Sequence, residues 1–422
     1  VLDQPMDKFL DYGLWLTMND LAEPFVRGMQ NGALNFKDKT AHAEFALRSM
    51  PPNQAAALMG QLVRQRKLPA DGKGPLIELV GAAGGTGELA LMYKQLREGG
   101  FEPSVYPRVL SALASAASLR NIRPTGDLGG VGRFIKTDDD VTRNFAVQLA
   151  GAWKRAELVE PLLAIAAEGS GVAFESLVQI RGPKVLNGLK KLAAADKPLE
   201  IRQAAAHSLS RFNLKGSLNE IYAVLKDIKD PNSALELWRG LLSNRGAGNL
   251  LAGGVAGVQL SKPVANAGLR AAREGGRNEK TLVEALARSQ NISLLTKQMN
   301  AAELKALAKR VMAEGDPFAG EKVYRRQSLA CTVCHAIGGA GGKVGPDFTS
   351  IGASAQPDYL IESVLYPNRK IKEGYHSVVV ETKDNRSLVG VQVSETGAAV
   401  VIRDAADKLV SIPRNQVKRK IN

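Results

Sequence analysis

Cys331-Thr332-Val333-Cys334-His335 is the stretch on which the reading of this chain turns. Two thiols three residues apart, followed at once by an imidazole, can bind one porphyrin through two thioethers while the histidine ligates its iron. The chain has only two cysteines and four histidines in 422 residues, so the pattern does not arise from a cysteine-rich background. Three other uses of the thiols are a disulfide, a redox dithiol and half of a zinc site. A redox dithiol calls for a thioredoxin-like βαβ setting, which the flanking sequence lacks. A structural zinc site normally takes four Cys/His ligands, and no second cluster lies near. The expected cofactor is one covalent haem c on Cys331 and Cys334, with His335 as the proximal iron ligand.

Immediately upstream, Asp316 should cap a short helix that has Pro317 at its first position and runs from Phe318 to Arg326. Downstream come a glycine-rich loop, Gly338 to Gly342, then Gly345-Pro346-Asp347-Phe348, then a helix from Pro357 to Leu365. The period then changes. Tyr375 to Thr382, Ser387 to Ser394, Ala398 to Arg403 and Lys408 to Ile412 alternate apolar and polar residues, with turns between them. This predicts a small antiparallel meander. It resembles an RNA-binding barrel of Sm type in outline, but it lacks stacking aromatics and a basic cluster, so no nucleic-acid partner is expected.

Residues 1 to 312 read as helix after helix. Asp7 to Leu16 has apolar residues near helical spacing, and Asp20 should cap the next segment. Thr40 to Met50 is stopped by Pro51-Pro52, and Asn53 caps Gln54 to Leu68. Gly84-Gly85-Thr86-Gly87 is a loop and not a phosphate loop, because the lysine and Ser/Thr of that motif are missing. From about residue 138 a repeat emerges. Asp140-Val141-Thr142-Arg143, with Ala146, is echoed by Glu200-Ile201-Arg202, with Ala205, about two thirty-residue units later. Gly171 to Ala194, Asn219 to Lys229 and Ser233 to Ser243 continue it, and Asn300 to Met312 is a last helix. Helix pairs of this length joined by Gly/Pro/Asp turns predict a HEAT-like α-solenoid; a compact irregular helical domain is the alternative. Trp15, Trp153 and Trp238 are expected in cores, and His42 and His207 inside helices as structural residues.

Composition agrees with packed helices: 45% hydrophobic residues and only 5% aromatic. Length calls for at least two domains, placed here at 1–312 and 313–422, with the β insertion at about 375–415. Net charge is +14, carried mostly by the N-terminal part. Lys and Arg alternate with Asp and Glu there, which reads as a solvated face. No apolar run is long enough to span a bilayer. The beginning, Val1-Leu2-Asp3-Gln4-Pro5, has neither an initiating Met nor a signal peptide, so a processed piece of a longer chain is expected.

Residues 317 to 369 resemble a class I c-type cytochrome. Gly320 and Tyr324 match the first helix of that class, where a small residue and an aromatic pack on the last helix. Pro346 matches a proline whose carbonyl, in the class, accepts the second N–H of the proximal imidazole. The wider pattern is similar to the Planctomycetes/Verrucomicrobia-type haem-binding domain family, which follows HEAT-like repeats. It rests on Val1 to Pro5, the Cys-x-x-Cys-His-Ala-Ile-Gly-Gly run, Val344 to Asp347, Tyr359 to Ser363 and Ile371 to Tyr375. In that family a Met-Pro loop after the strands brings the sixth ligand. Here the last methionine is Met312, before the motif, which leaves His376 as the alternative distal ligand. Many members carry a sugar-dehydrogenase-like propeller ahead of the repeats.

The resemblance implies a mainly α protein: a HEAT-like solenoid followed by a small cytochrome domain with an inserted antiparallel β meander. It implies a periplasmic or otherwise exported electron carrier rather than an enzyme, with a redox protein or an upstream dehydrogenase domain as partner. Alternatives are the electron-accepting C-terminal part of a larger sugar/alcohol dehydrogenase-like protein, a haem-based ligand sensor or binding scaffold, and a helical scaffold without a redox role.

Overall fold

The structure, a computed structural model, describes residues 7–31, 33–34, 40–50, 54–55, 68–74, 76–294, 298–326, 329–397 and 399–421. Among these residues the chain is mainly helical: 22 α-helices precede a small sheet of five antiparallel strands. It divides into two compact units, Val1–Leu192 and Ala193–Asn422. The boundary expected at 312/313 falls inside the second.

In the first unit, Lys8–Asp20 is capped as its sequence requires, Asp7 accepting the N–H groups of Phe9 and Leu10 at 2.8 Å. The next helix, Ala22–Gln30, is preceded by Leu21 without a side-chain cap, not by Asp20. Trp15 corrects the sequence reading: it is 44% exposed and stacks on Tyr12. The apolar stripe of this helix is wider than the small core beneath it, which Ala22, Ala46, Leu47 and Met50 form with half-buried Met18. The cap at Asn53 and most of the helix expected after it lie outside the described residues, as does Val1 to Pro5.

Further on, Leu76–Ala83, Tyr106–Arg120, Asp140–Ala152 and Gly171–Ile180 each pack on the next in that row. Their starts are about thirty residues apart. Between them stand Thr86–Arg97 and Val159–Ala167, the latter against Pro183–Leu192. Hydrogen bonds follow the same interval. Ser176 donates to the Val147 carbonyl at 2.9 Å, Tyr93 to Leu128 at 3.1 Å, and Arg133 to Leu96 at 2.6 Å. Each satisfies a backbone carbonyl one helix pair away. Trp153 is buried edge-on to Tyr93.

The second unit begins with two such rows. Leu199–Asn213, Pro231–Leu242 and Lys262–Ala271 form one; Leu218–Asp227, Ala247–Val255 and Lys280–Ser289 form the other. Trp238 is fully buried, and its Nε1 donates to the Val264 carbonyl at 3.1 Å. Gly268 supplies the room, since any Cβ there would press on the indole. Ala301–Glu314 is capped by Asn300 with Glu303 in a capping box. It runs antiparallel to Pro357–Leu365: the Met299 N–H donates to the Tyr366 hydroxyl at 2.7 Å, joining the start of one helix to the end of the other.

The strands are β1 Ser377–Thr382, β2 Ser387–Glu395, β3 Ala399–Arg403, β4 Leu409–Pro413 and β5 Val417–Ile421, in the order β4-β3-β2-β1-β5. The first four are the predicted meander. β5 went unread because Lys418-Arg419-Lys420 masks its alternation; it returns to pair with β1. One face buries Val378, Val380, Val400, Ile402 and Ile412. The turn between β1 and β2 docks on the end of Pro231–Leu242. The Arg245 N–H donates to the Asn385 carbonyl at 3.1 Å, and Arg245 pairs with Glu381 at 3.2 Å.

Candidate functional site

The motif forms a single helical turn, Cys331–Cys334, entered through Ala330 in the left-handed region at φ 57°. Both cysteines are free thiols and half-buried. His335 leaves the turn in extended conformation. Its Nδ1 lies 2.8 Å from the Pro346 carbonyl. A carbonyl can only accept, so Nδ1 carries a proton, and in the neutral tautomer that this contact selects the lone pair is on Nε2.

The following loop is wrapped tightly around this turn. Ile337 and Ala340 close a two-residue turn through Gly338 and Gly339, both at positive φ, as a mirror-image turn needs. The Gly342 N–H donates to the Thr332 carbonyl at 3.0 Å, Gly345 to Cys334 at 2.8 Å, and Phe348 to Ala336 at 2.7 Å. At Gly345 a Cβ would run into the His335 ring, and at Gly342 into the Val333 carbonyl. The imidazole is thus pressed between Gly345 and the Phe348 ring, stacked 4.0 Å away at 17°. The Tyr324 hydroxyl donates to the His335 carbonyl at 3.1 Å and reaches this loop from the helix Pro317–Tyr324. Asp316 caps that helix, accepting from Phe318 at 2.9 Å and Ala319 at 3.1 Å. Asp347 accepts from Thr349, which holds its carboxyl below the usual range.

The structure therefore brings Cys331, Cys334, His335, Pro346 and Tyr324 together. His376, exposed just before β1, makes no hydrogen bond or ring contact with the motif among the described residues. The close helix approach expected at Gly320 is also not found, since a Cβ there would meet nothing within 4 Å.

Sequence reading missed the ring stacking of Phe348 and a charged cluster beside Cys334. Arg239 is paired with Glu274, its Nη2 2.8 Å from Oε2, and donates to the Ala405 carbonyl at 3.3 Å. Arg270 meets the same carboxylate at 3.3 Å. Burial, assisted by Glu274, pushes the Cys334 thiol upward, while Arg270 and Arg239 pull the other way. No local pattern in the sequence signals this cluster, because it depends on how the β3–β4 turn docks.

These residues fit a covalent haem on two observations. The donor set is right: two half-buried thiols, and one imidazole whose Nδ1 is engaged by a carbonyl, leaving Nε2 as the nitrogen able to ligate. The surroundings are also right. The helices Pro317–Tyr324, Cys331–Cys334, Ile351–Ser354 and Pro357–Leu365 leave their side chains exposed or only half-buried. Phe318, Leu329, Val333 and Ile337 stand exposed around the motif, as the lining of an apolar crevice would. Among the described residues no three His, Cys, Asp or Glu side chains gather as an all-protein metal site; a haem needs one such ligand, since the porphyrin brings four nitrogens. No protein-family model matches the chain, nor does any curated protein.

Proposed function

We propose that this chain is a monohaem c-type cytochrome that carries electrons between proteins and transforms no substrate itself. The observation that carries this is His335 locked by the Pro346 carbonyl, beside two half-buried thiols at thioether spacing. Bound there, haem supplies a one-electron iron couple. The chain's own residues hold the ring rigid. Pro346 fixes its tautomer, Gly345 and Phe348 fix its plane, and Tyr324 pins the backbone at His335. A rigid ligand lowers the reorganisation that accompanies each electron. The helical rows are a HEAT-like solenoid in this reading, a docking surface for a redox partner or an upstream dehydrogenase domain. The thirty-residue stacking interval supports it. Thioether attachment makes the protein exported, and the family suggested by its motifs is the Planctomycetes/Verrucomicrobia-type haem-binding one.

The test is the intact mass and visible spectrum of the full chain made in a host that attaches haem. The mass should exceed that of the polypeptide by one haem, with a sharp absorption band on reduction. A bare mass overturns the proposal. A second reading, a haem-based ligand sensor, draws on the chain's last methionine, Met312, lying before the motif. Carbon monoxide binding to the reduced protein at neutral pH would favour it.

A further inference from the structure

The β sheet is fastened both to the helical rows and to the loop around His335. On the first side, the Arg245 N–H donates to the Asn385 carbonyl at 3.1 Å and the Ser387 N–H to the Ser243 carbonyl at 2.6 Å. Arg239 donates to the Ala405 carbonyl at 3.3 Å, which ties the β3–β4 turn to the helix Pro231–Leu242. On the second side, Asp407 in the same turn accepts the Lys343 N–H at 3.2 Å. Lys343 lies between two residues already bonded to the motif: Gly342, which donates to Thr332, and Gly345, which donates to Cys334 and presses on the His335 ring. Val344, between the last two, is buried.

The β3–β4 turn is arranged to hold Asp407 still. Asp404 Oδ1 accepts the N–H groups of Ala406 and Lys408, each at 2.9 Å, and the Asp404 carbonyl accepts that of Asp407 at 3.0 Å. Asp407 itself is left-handed, at φ 62°, a conformation that aspartate tolerates better than most residues and glycine adopts freely. Its Oδ1 is tied to Arg403 at 2.6 Å, which leaves Oδ2 for Lys343. Arg403 first, and the Lys343 N–H with it, hold this carboxyl below the usual range. An acceptor fixed in advance gives up little freedom when it makes its bond.

We infer that Asp407 is a positioning residue for the haem ligand: it passes the rigidity of the sheet, and of the helices behind it, to the loop 342–345 that keeps the His335 ring against the Pro346 carbonyl. The inference rests on the proposed haem reading. The bond from His335 Nδ1 to Pro346 makes the imidazole a stronger electron donor and so favours ferric iron. A loosened loop weakens that bond and raises the reduction potential.

The experiment compares the full haem-loaded chain with Asp407→Gly and Asp407→Asn, by amide hydrogen exchange and by spectroelectrochemical titration. Both variants remove the same charge. Asparagine keeps an acceptor oxygen, whereas glycine keeps the left-handed backbone and loses the acceptor. In Asp407→Gly the Gly342 and Gly345 amides should exchange about fivefold faster than in the parent. Its potential should lie above that of Asp407→Asn, which reports the hydrogen bond apart from the charge. Asp407→Asn should recover most of the exchange change, and the β3 amides should keep the parent's rate in both variants. Exchange that rises in β3 as much as at Gly342 and Gly345 would show a role in the turn alone and overturn the inference. Equal potentials in the two variants, with the loop amides unchanged, overturn it as well and leave the cytochrome reading standing. A bare polypeptide mass in the parent overturns both.

Discussion

Two groups of helices in the second unit have comparable apolar content and opposite fates. Pro231–Leu242 buries Ala234, Leu235, Leu237, Trp238, Leu241 and Leu242. Pro357–Leu365 carries Tyr359, Leu360, Ile361, Val364 and Leu365 and leaves them half-buried or, for Val364 at 81%, exposed. Apolar content is therefore not what separates them. The first group has helix neighbours on both sides, one repeat before and one after, so its stripes close on each other. The second has Ala301–Glu314 as its main helix neighbour among the described residues, and backbone hydrogen bonds around His335 order the chain near the motif. Apart from exposed Val364, its apolar side chains are half-buried, which leaves room for a shared centre. The cytochrome reading supplies one.

The largest test of this contrast removes the thiols. Cys331→Ser with Cys334→Ser should abolish covalent haem and raise amide hydrogen exchange across residues 317–366 by at least tenfold. Exchange in the helices between 199 and 289 should stay at the parent's rate. Equal exchange in 317–366 with and without the thiols would mean that this region is held by the polypeptide alone. The next test works on the other side. Trp238→Ala empties a site where no external group takes part, and should cost about 3–5 kcal/mol in urea unfolding. Covalent haem, measured by mass, should remain.

A third and smaller effect probes the hydrogen-bonded loop. Gly345→Ala places a Cβ against the His335 ring and should cost about 1–3 kcal/mol, because the ring and the Pro346 carbonyl cannot both keep their places. The visible spectrum should shift as the ligand tilts, with the cysteines still attached. An unchanged spectrum and midpoint would show that the loop yields easily, and that the 2.8 Å bond does not hold the ring.

How much of this was legible beforehand depends on whether the cause was local. Asp316 announces a helix start because a cap needs only a side chain and the next turn, and it caps where expected, whereas Asp20 does not; the caps at Asp7 and Asn300 were read only as the first residues of their helices. The thirty-residue interval was legible because it recurs. The donor set at 331–335 was legible because its chemistry is sequential. β5 was not, since three basic residues hid a strand whose pairing partner, β1, lies some forty residues earlier. Nor was Trp15, whose helix is apolar enough for a core that the neighbouring residues do not complete. Arg239 and Arg270 escaped for the same reason: their position beside Cys334 depends on how the β3–β4 turn docks, which no local pattern encodes.

The smallest effect concerns the entrance to the motif. Ala330 sits at φ 57° and ψ 22°, a region that costs a non-glycine residue about 1–2 kcal/mol. It is held there because its own N–H and that of Val333 are committed, to the Arg326 carbonyl at 3.2 Å and to the Ala330 carbonyl at 3.1 Å. Glycine adopts this conformation freely but loses more chain entropy on folding, and it gives up a buried methyl group. The terms nearly offset, leaving Ala330→Gly more stable by about 0.5 kcal/mol. The amides of Gly342 and Gly345 are the local reporters, since their bonds to Thr332 and Cys334 open only when the turn opens. Their exchange should slow about twofold, with the Trp238 region unaffected. Faster exchange would show that the methyl group, and not the backbone strain, governs the entrance, and that the region around the haem motif is better packed than the comparison with Pro231–Leu242 implies.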